Sequence, residues 1–334
     1  MRASRGLAGI VVGLAAGLAF GAGGAVVKPL LEAGWSPGAA VFARIVVAAV
    51  ALAIPGLAAM RWSIRPLLSA WRTVLAFAIL GVVLTQVAFY AAIERIPVSL
   101  GLLIEYLAPV ALVLLAWIRL RRAPQRVVIA GSIVAIAGLV LVIGPGGGDL
   151  DPVGLLLAGL AMVGMCVYYV LGDRADASLP PLALAASGFV VGAVVLGLVG
   201  LTGILPFEFA FVDDVVFLGG TAPWYVPVLV VGLVSTAFAY AAGITAIRML
   251  GTRLASFLGL SEVIFAAIVA WMVLGEVITP LQMLGGVLIL AGIVLVRQER
   301  DDRSGLDEVP GAEPVPLPSD ATAEPPRDDV RGDT

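Results

Sequence analysis

Residues 71–118 read WRTVLAFAILGVVLTQVAFYAAI (71–93), then ERIP (94–97), then VSLGLLIEYLAPVALVLLAWI (98–118). A hydrocarbon core of roughly 30 Å needs about 20 helical residues, and each apolar run is that long, with Arg72 the only charge in the first and Glu105 the only charge in the second. Both runs are continuously apolar, without the alternation of a lipid-facing barrel strand. Each therefore reads as a helix that satisfies its own backbone in lipid. The same pattern recurs at 7–27, 38–58, 125–144, 153–172, 181–203, 224–246, 254–274 and 279–297. The expectation is an all-α polytopic membrane protein of ten transmembrane helices.

Composition agrees, since 61% of the 334 residues are hydrophobic and 13% charged, more apolar surface than a soluble core of this length needs. Arginine marks every second gap between spans. Arg2, Arg5, Arg61, Arg65, Arg72, Arg119, Arg121, Arg122, Arg126, Arg174, Arg248, Arg253, Arg297, Arg300 and Arg303 fall on one side, against Lys28 and Arg95 on the other. Asp149, Asp151, Glu208, Asp213 and Asp214 accompany that second pair. The cationic side faces the cytoplasm by the positive-inside rule, which places both termini there in a multi-pass protein of the cell membrane. Arg2 and Arg5 before an apolar run also resemble a secretory signal. Its removal would leave nine helices and upset the alternation, so an uncleaved first span is preferred.

Histidine is absent and Cys166 is the only cysteine. An internal disulfide and a His-containing metal site are thereby excluded, and Cys166 reads as a small packing residue. No metal and no cofactor is expected. The partners implied are a lipid bilayer and a small-molecule substrate, with no nucleic acid. After residue 297 the chain turns to Pro, Asp, Glu, Gly and Arg, the composition of a disordered cytoplasmic tail over 298–334.

Set against itself at a shift of 154, the chain matches Ala92-Ile93 with Ala246-Ile247, Trp117 with Trp271, Gly131 with Gly285, and Ala137-Gly138 with Ala291-Gly292. Two repeats follow, 7–143 and 153–297, each of five helices. Five is odd, so equivalent helices cross the bilayer in opposite directions. Such inverted repeats let a central cavity open first to one side and then to the other. A complete duplicated pathway in one chain is compatible with a monomer and leaves a dimer open. Gly9, Gly13, Gly17 and Gly21 form a stripe on the first span that lets a neighbouring backbone approach. Gly131, Gly138, Gly285, Gly286 and Gly292 give the fifth and tenth spans small faces as well.

The segments Ala91-Ala92-Ile93-Glu94-Arg95-Ile96-Pro97 and Glu105-Tyr106-Leu107-Ala108-Pro109 have counterparts in Ala246-Ile247-Arg248, Leu274-Gly275-Glu276 and Gly285-Gly286-Val287-Leu288-Ile289-Leu290-Ala291-Gly292. Together they resemble the drug/metabolite transporter superfamily, with two tandem EamA domains, and within it the threonine and homoserine exporters. The resemblance implies a transporter rather than an enzyme. One departure stands out: Arg119-Leu120-Arg121-Arg122 occupies the place that Leu274-Gly275-Glu276 fills in the second half, so the acidic helix-end residue occurs once.

Charges within a span cost about 2.5–3.5 kcal/mol each on insertion scales and usually face a cavity or a partner. Three stand well inside: Arg44, Glu105 and Glu262. Arg44 and Glu105 both fall roughly 9–10 Å below the outer boundary, at about 1.5 Å per residue. Glu105 is expected to couple protons to transport, to pair with Arg44, or to do both. Arg44 pairs with Glu105 or docks a substrate carboxylate. Glu262, read near the middle of the ninth span beside Ser261, is the matching candidate in the second half, with a hydrogen-bonded packing role as the alternative. Lys28 lines an outer gate or anchors the interface. Gln86, Tyr90, Tyr106, Tyr168, Tyr169, Ser235, Thr236 and Tyr240 line a polar pathway or bridge helices. Trp224 and Tyr225 read as interfacial belt residues.

The leading function is secondary transport, the export of an amino acid or related metabolite by proton exchange. Facilitation or import stays open, because fold alone does not choose. No phosphate-binding loop occurs, so direct use of ATP is unsupported. An intramembrane enzyme would need a nucleophile, base or metal cluster that the chain lacks, and a scaffold would use the tail.

Overall fold

The computed structural model describes residues 2–120, 125–143, 150–173, 179–212, 214–217 and 220–304. Helices dominate it: α1 (Arg2–Glu32), α2 (Pro37–Ala59), α3 (Arg65–Ser69), α4 (Trp71–Ala76), α5 (Thr85–Ile93), α6 (Val98–Glu105), α7 (Ala108–Leu120), α8 (Arg126–Ile143), α9 (Pro152–Asp173) and α10 (Pro181–Thr202). After a hairpin of β1 (Val215–Phe217) and β2 (Gly220–Ala222) come α11 (Tyr225–Leu229), α12 (Ala239–Gly259), α13 (Ser261–Leu274) and α14 (Pro280–Ser304). Among the described residues six helical stretches are long and apolar enough to cross a membrane, and four shorter apolar helices accompany them.

The hairpin is an exception to the all-helical expectation. It belongs to a loop seated on the turn between α1 and α2. There the Trp35 indole N–H donates to the Ala210 carbonyl at 2.6 Å, and Ser36 Oγ donates to the Pro206 carbonyl at 2.8 Å and accepts from the Glu208 N–H at 3.0 Å. The same hydroxyl caps α2 through the Ala39 N–H. Trp35, Phe209, Phe211 and Trp224 pack ring against ring above it. Trp224 is thus part of this aromatic cover, whereas Tyr225 is exposed. This end of the bundle is called the loop end below, and the opposite end the arginine end.

Two departures from regular helix occur in pairs. Between α4 and α5 the residues Phe77–Leu84 form a π-helix, and between α11 and α12 Val230–Phe238 do the same. At the repeat shift these segments fall on one another. Each is held by a threonine hydroxyl bonded to the carbonyl five residues back: Thr85 to Leu80 at 3.1 Å and Thr236 to Val231 at 2.8 Å. The second pair is a break in what was read as one span. The fourth stops at Glu105 and resumes at Ala108, because Pro109 has no N–H to offer the Glu105 carbonyl. The ninth is interrupted at Leu260, where the Ser261 hydroxyl donates to the Leu258 carbonyl at 2.6 Å.

Glu262 therefore sits in the first turn of α13 rather than within an unbroken span. α12 extends to Gly259 but does not run straight. A Cβ added at Gly13 of α1 would meet Ala246 and Leu258 together, residues a straight helix would hold about 18 Å apart. The expected tail from 298 also begins as helix, since α14 extends to Ser304; residues 305–334 lie outside the described residues.

Packing exchanges elements between the halves. α1 lies on α12 and α13, while α9 lies on α5 and on α6. α2 packs on α10, and α8 on α14. In the last pair a Cβ at Gly131 would strike the Gly292 carbonyl, one at Gly138 the Gly285 carbonyl, and the reverse in each case. The small residues let the two backbones touch. Residues i and j meeting j and i is the contact pattern of a two-fold axis between equivalent helices.

Candidate functional site

The glycine stripe of α1 runs up the inner wall of the bundle. Gly9 faces Met249 and Leu250, Gly13 faces Leu258, Gly17 faces Ser261, and Gly21 faces Glu262 and Ala266. A Cβ at Gly17 would press on Ser261 and one at Gly21 on the Glu262 and Ala266 backbone, so a larger residue at either would push α1 off α13.

The two breaks meet. Tyr106, in the interruption between α6 and α7, donates its hydroxyl to Glu262 Oε2 and lies 3.4 Å from the Gly259 carbonyl. One side chain thus serves a carboxyl at the start of α13 and a carbonyl freed by the break beside it. Glu105, one residue before Tyr106, is only 6% exposed and accepts no hydrogen bond among the described residues. Its charged neighbours are Glu262 and Arg44. Two carboxyls and one guanidinium therefore share the interior where the halves join.

Arg44 does not pair with Glu105, contrary to the expectation from depth. Its Nε donates to Thr236 Oγ1 at 2.6 Å, and its Nη1 donates to Gln86 Oε1 at 2.6 Å and to the Tyr90 hydroxyl at 2.9 Å. Nη2 points toward the Ser235 carbonyl at 3.5 Å, and the guanidinium carbon lies 5.6 Å from the Tyr90 ring centroid. These neutral acceptors absorb the fork, so α2, α5 and the second π segment are clamped together around a buried cation. Equal depth placed Arg44 and Glu105 at one level, but it carried no information about azimuth around the bundle. Ser235 is fully buried and its hydroxyl has no partner among the described residues.

Tyr168 and Tyr240 share a hydrogen bond across α9 and α12. Tyr240 is held edge-on between Phe20 and Phe189, with centroids at 5.0 and 5.1 Å, and Tyr168 lies against Phe77 at 5.1 Å. Both rings are partly exposed, as are Tyr106 and Glu262, whereas Arg44, Tyr90 and Glu105 are buried. The side chain of Tyr169 lies outside the described residues. Cys166 is half-buried, with its Sγ 3.5 Å from the Ala108 carbonyl. No group of His, Cys, Asp and Glu able to hold a metal occurs among the described residues.

Lys28 is not a free anchor. Its Nζ donates to Glu276 Oε1 at 3.1 Å at the loop end. At that same end Arg95 Nη1 pairs with Asp151 Oδ2 at 3.0 Å. Asp151 also accepts from the Val153 N–H at 2.7 Å and the Gly154 N–H at 3.3 Å, capping α9. The hydrogen bond from Arg95, with those backbone donors, holds its carboxyl below the ordinary aspartate value. Glu276 was legible only as part of a motif, and nothing in the sequence tied it to Lys28.

Known proteins of the same pattern exist. The EamA-like transporter family matches residues 7–144 and 152–298. The threonine/homoserine exporter RhtA of Escherichia coli (strain K12) is 29% identical over 222 residues, covering 63% of this chain and 68% of that protein. RhtA of Salmonella typhimurium (strain LT2) is 30% identical over 210 residues, 61% of this chain and 63% of that one. An uncharacterized transporter of Archaeoglobus fulgidus is 25% identical over 228 residues, 68% of this chain and 77% of its own. One crystal structure superposes with a TM-score of 0.59 over 89% of this chain and 98% of its own, at 17% identity, a likeness of fold.

Proposed function

The chain belongs to the EamA-like transporter family, and on that premise we propose that it exports amino acids or related small metabolites across the plasma membrane in exchange for protons. It is a membrane transporter and not an enzyme; the direction, the solute class and the proton are the proposal. In this reading ten spans form two inverted repeats, 7–143 and 153–297, followed by the tail 298–334. Both termini lie in the cytoplasm, and one chain holds a whole pathway.

The observation that carries the reading is the meeting of two broken helices, one from each half, at a junction bearing Glu105, Tyr106 and Glu262. Transporters built from inverted repeats bind solute near the midplane, where interrupted helices free polar groups. Arg44, held by Gln86, Tyr90 and Thr236, sets the wall beside that junction. Tyr168 and Tyr240 line its partly open side. A buried carboxyl such as that of Glu105 takes up or releases a proton as the cavity alternates between the two faces. The printed activity of the two RhtA proteins, threonine and homoserine export, supports small amino acids as the first solutes to try.

The test is flux of labelled threonine, homoserine and a wider amino-acid panel in proteoliposomes, with and without an imposed pH gradient. The proposal expects gradient-driven movement of at least one solute. Flux indifferent to the gradient would replace proton exchange with facilitation, and no flux by folded protein would direct the search to other metabolites.

A further inference from the structure

Glu276 does more than pair with Lys28. Its Oε1 also accepts from the Val98 N–H at 3.0 Å, the first residue of α6, and its Oε2 lies 3.4 Å from the Ser99 hydroxyl. The N–H at the start of a helix has no partner within that helix, so the carboxylate fills a vacancy that the fold creates. Its position is fixed by the chain just before it. Gly275 adopts φ 67°, its N–H bonds the Trp271 carbonyl at 3.1 Å, and the Glu276 N–H bonds the Ala270 carbonyl at 3.4 Å, a left-handed stop to α13. The two side chains of the pair keep 19% and 12% exposure, whereas those of Arg95 and Asp151 keep 45% and 32%. A pair that wet contributes little.

α1 and α6 belong to the first matched segment and the turn after α13 to the second. One carboxylate thus ties both helices of one half to the other half at the loop end. Beside it lies a cavity of about 200 Å³ lined by Lys28, Glu32, Val216 and Leu274. Below it, along α1, a Cβ at Gly23 would meet Ser235, next to the Arg44 clamp. At the repeat shift Glu276 falls on Arg122, so the sequence offers no carboxylate for the same tie at the arginine end.

We propose that Lys28 and Glu276 are the gate residues of the loop end, a latch between the halves that holds the pathway shut there while the arginine end is free to admit solute. Two symmetric halves would favour neither end. A latch at the loop end biases the resting population toward closure at that end. The inference rests on the transporter reading for what opening means, but its first test needs no solute.

In a Cys166→Ser background, Ser235→Cys replaces the unpartnered hydroxyl with a thiol of similar size. Its alkylation by a membrane-impermeant maleimide is timed from the loop-end face and from the arginine-end face. Lys28→Met and Glu276→Gln are each expected to raise the loop-end rate about tenfold, and Glu276→Ala more, because it also releases α6. Loop-end rates within twofold of the parent in all three, with unchanged thermal midpoints, would overturn the latch and leave transport standing. Should those variants unfold, Lys28→Cys with Glu276→Cys, bridged by a short reducible bifunctional reagent, serves instead. The bridge is expected to stop flux of a solute identified with the parent protein, and reductant to restore it. Undiminished flux in bridged protein would overturn the proposal.

Discussion

The stretches Trp71–Ile93 and Tyr225–Leu250, read as the third and eighth spans, repeat one another in backbone and differ in chemistry. Each enters a π segment at the same point of its repeat, Phe77–Leu84 and Val230–Phe238, and each pins it with a threonine. Yet Gln86 corresponds to Tyr240, Tyr90 to Ile244 and Thr236 to Val82. The neighbours behave alike: the fourth span breaks at Tyr106 and the ninth at Leu260, positions that correspond, and only Tyr106 has a hydroxyl to bridge them. Matching the starts of α2 and α10, Pro37 and Pro181, sets Arg44 against Gly188. The scaffold is two-fold and the polar site is not. In the proposed alternation a symmetric frame would give two states of similar energy, and an asymmetric lining would let those states differ in what they bind.

The sharpest way to break this contrast is at Arg44. Arg44→Ala leaves Gln86, Tyr90 and Thr236 without their shared donor, where each hydrogen bond to a charge is worth about 1.5–3 kcal/mol. We expect a large fall in thermal midpoint in detergent and loss of nearly all flux. Arg44→Lys keeps the charge but not the fork, and is expected to recover stability only in part. The corresponding Gly188 faces Phe77, so Gly188→Ala should act as an ordinary overpacking change.

The scaffold's symmetry is tested at the α8–α14 contact. Gly138→Leu and Gly292→Leu, equivalent positions of the repeat, drive side chains into the Gly285 and Gly131 backbones respectively, each costing about 1–3 kcal/mol. Equal losses of stability are expected from the two; a large loss from one alone would break the two-fold description. Tyr106→Phe removes a single hydroxyl, about 1–2 kcal/mol if the Glu262 carboxyl is left short of a donor. Its effect should fall on flux more than on the thermal midpoint, with Leu260→Ala as the control in the other break. The smallest effect is expected at Arg95 and Asp151. A carboxyl held below its unfolded value stabilises the fold above the ordinary aspartate range, and that contribution is lost as pH falls through the folded value. Asp151→Asn should therefore change the midpoint slightly at neutral pH and not at all in strong acid.

The sequence carried the long-range order well. Run length located the six helices long and apolar enough to cross a membrane, and Gly131, Gly138, Gly285 and Gly292 marked small faces, though not that α8 and α14 press those faces together. Azimuth was not legible. Arg44 and Glu105 share a depth, but hydropathy does not say which neighbour a side chain faces, and the guanidinium turned to Gln86, Tyr90 and Thr236. The π segments were hidden too, because a π turn differs from an α turn by one carbonyl in register and leaves the apolar pattern unchanged. The break in the fourth span had a signal in Pro109; the one in the ninth had none, since Val263 occupies the corresponding place. The Lys28–Glu276 tie spans 248 positions and arises only once the halves are folded together.

The central claim is that the carboxyls at the meeting of the two broken spans drive transport. Its most direct measurement is flux driven by a pH gradient in proteoliposomes holding Glu105→Gln or Glu262→Gln beside the parent protein. The account predicts that Glu105→Gln abolishes gradient-driven accumulation while solute exchange without a gradient persists, and that Glu262→Gln weakens both. Gradient-driven accumulation at the parent rate in both variants would contradict it.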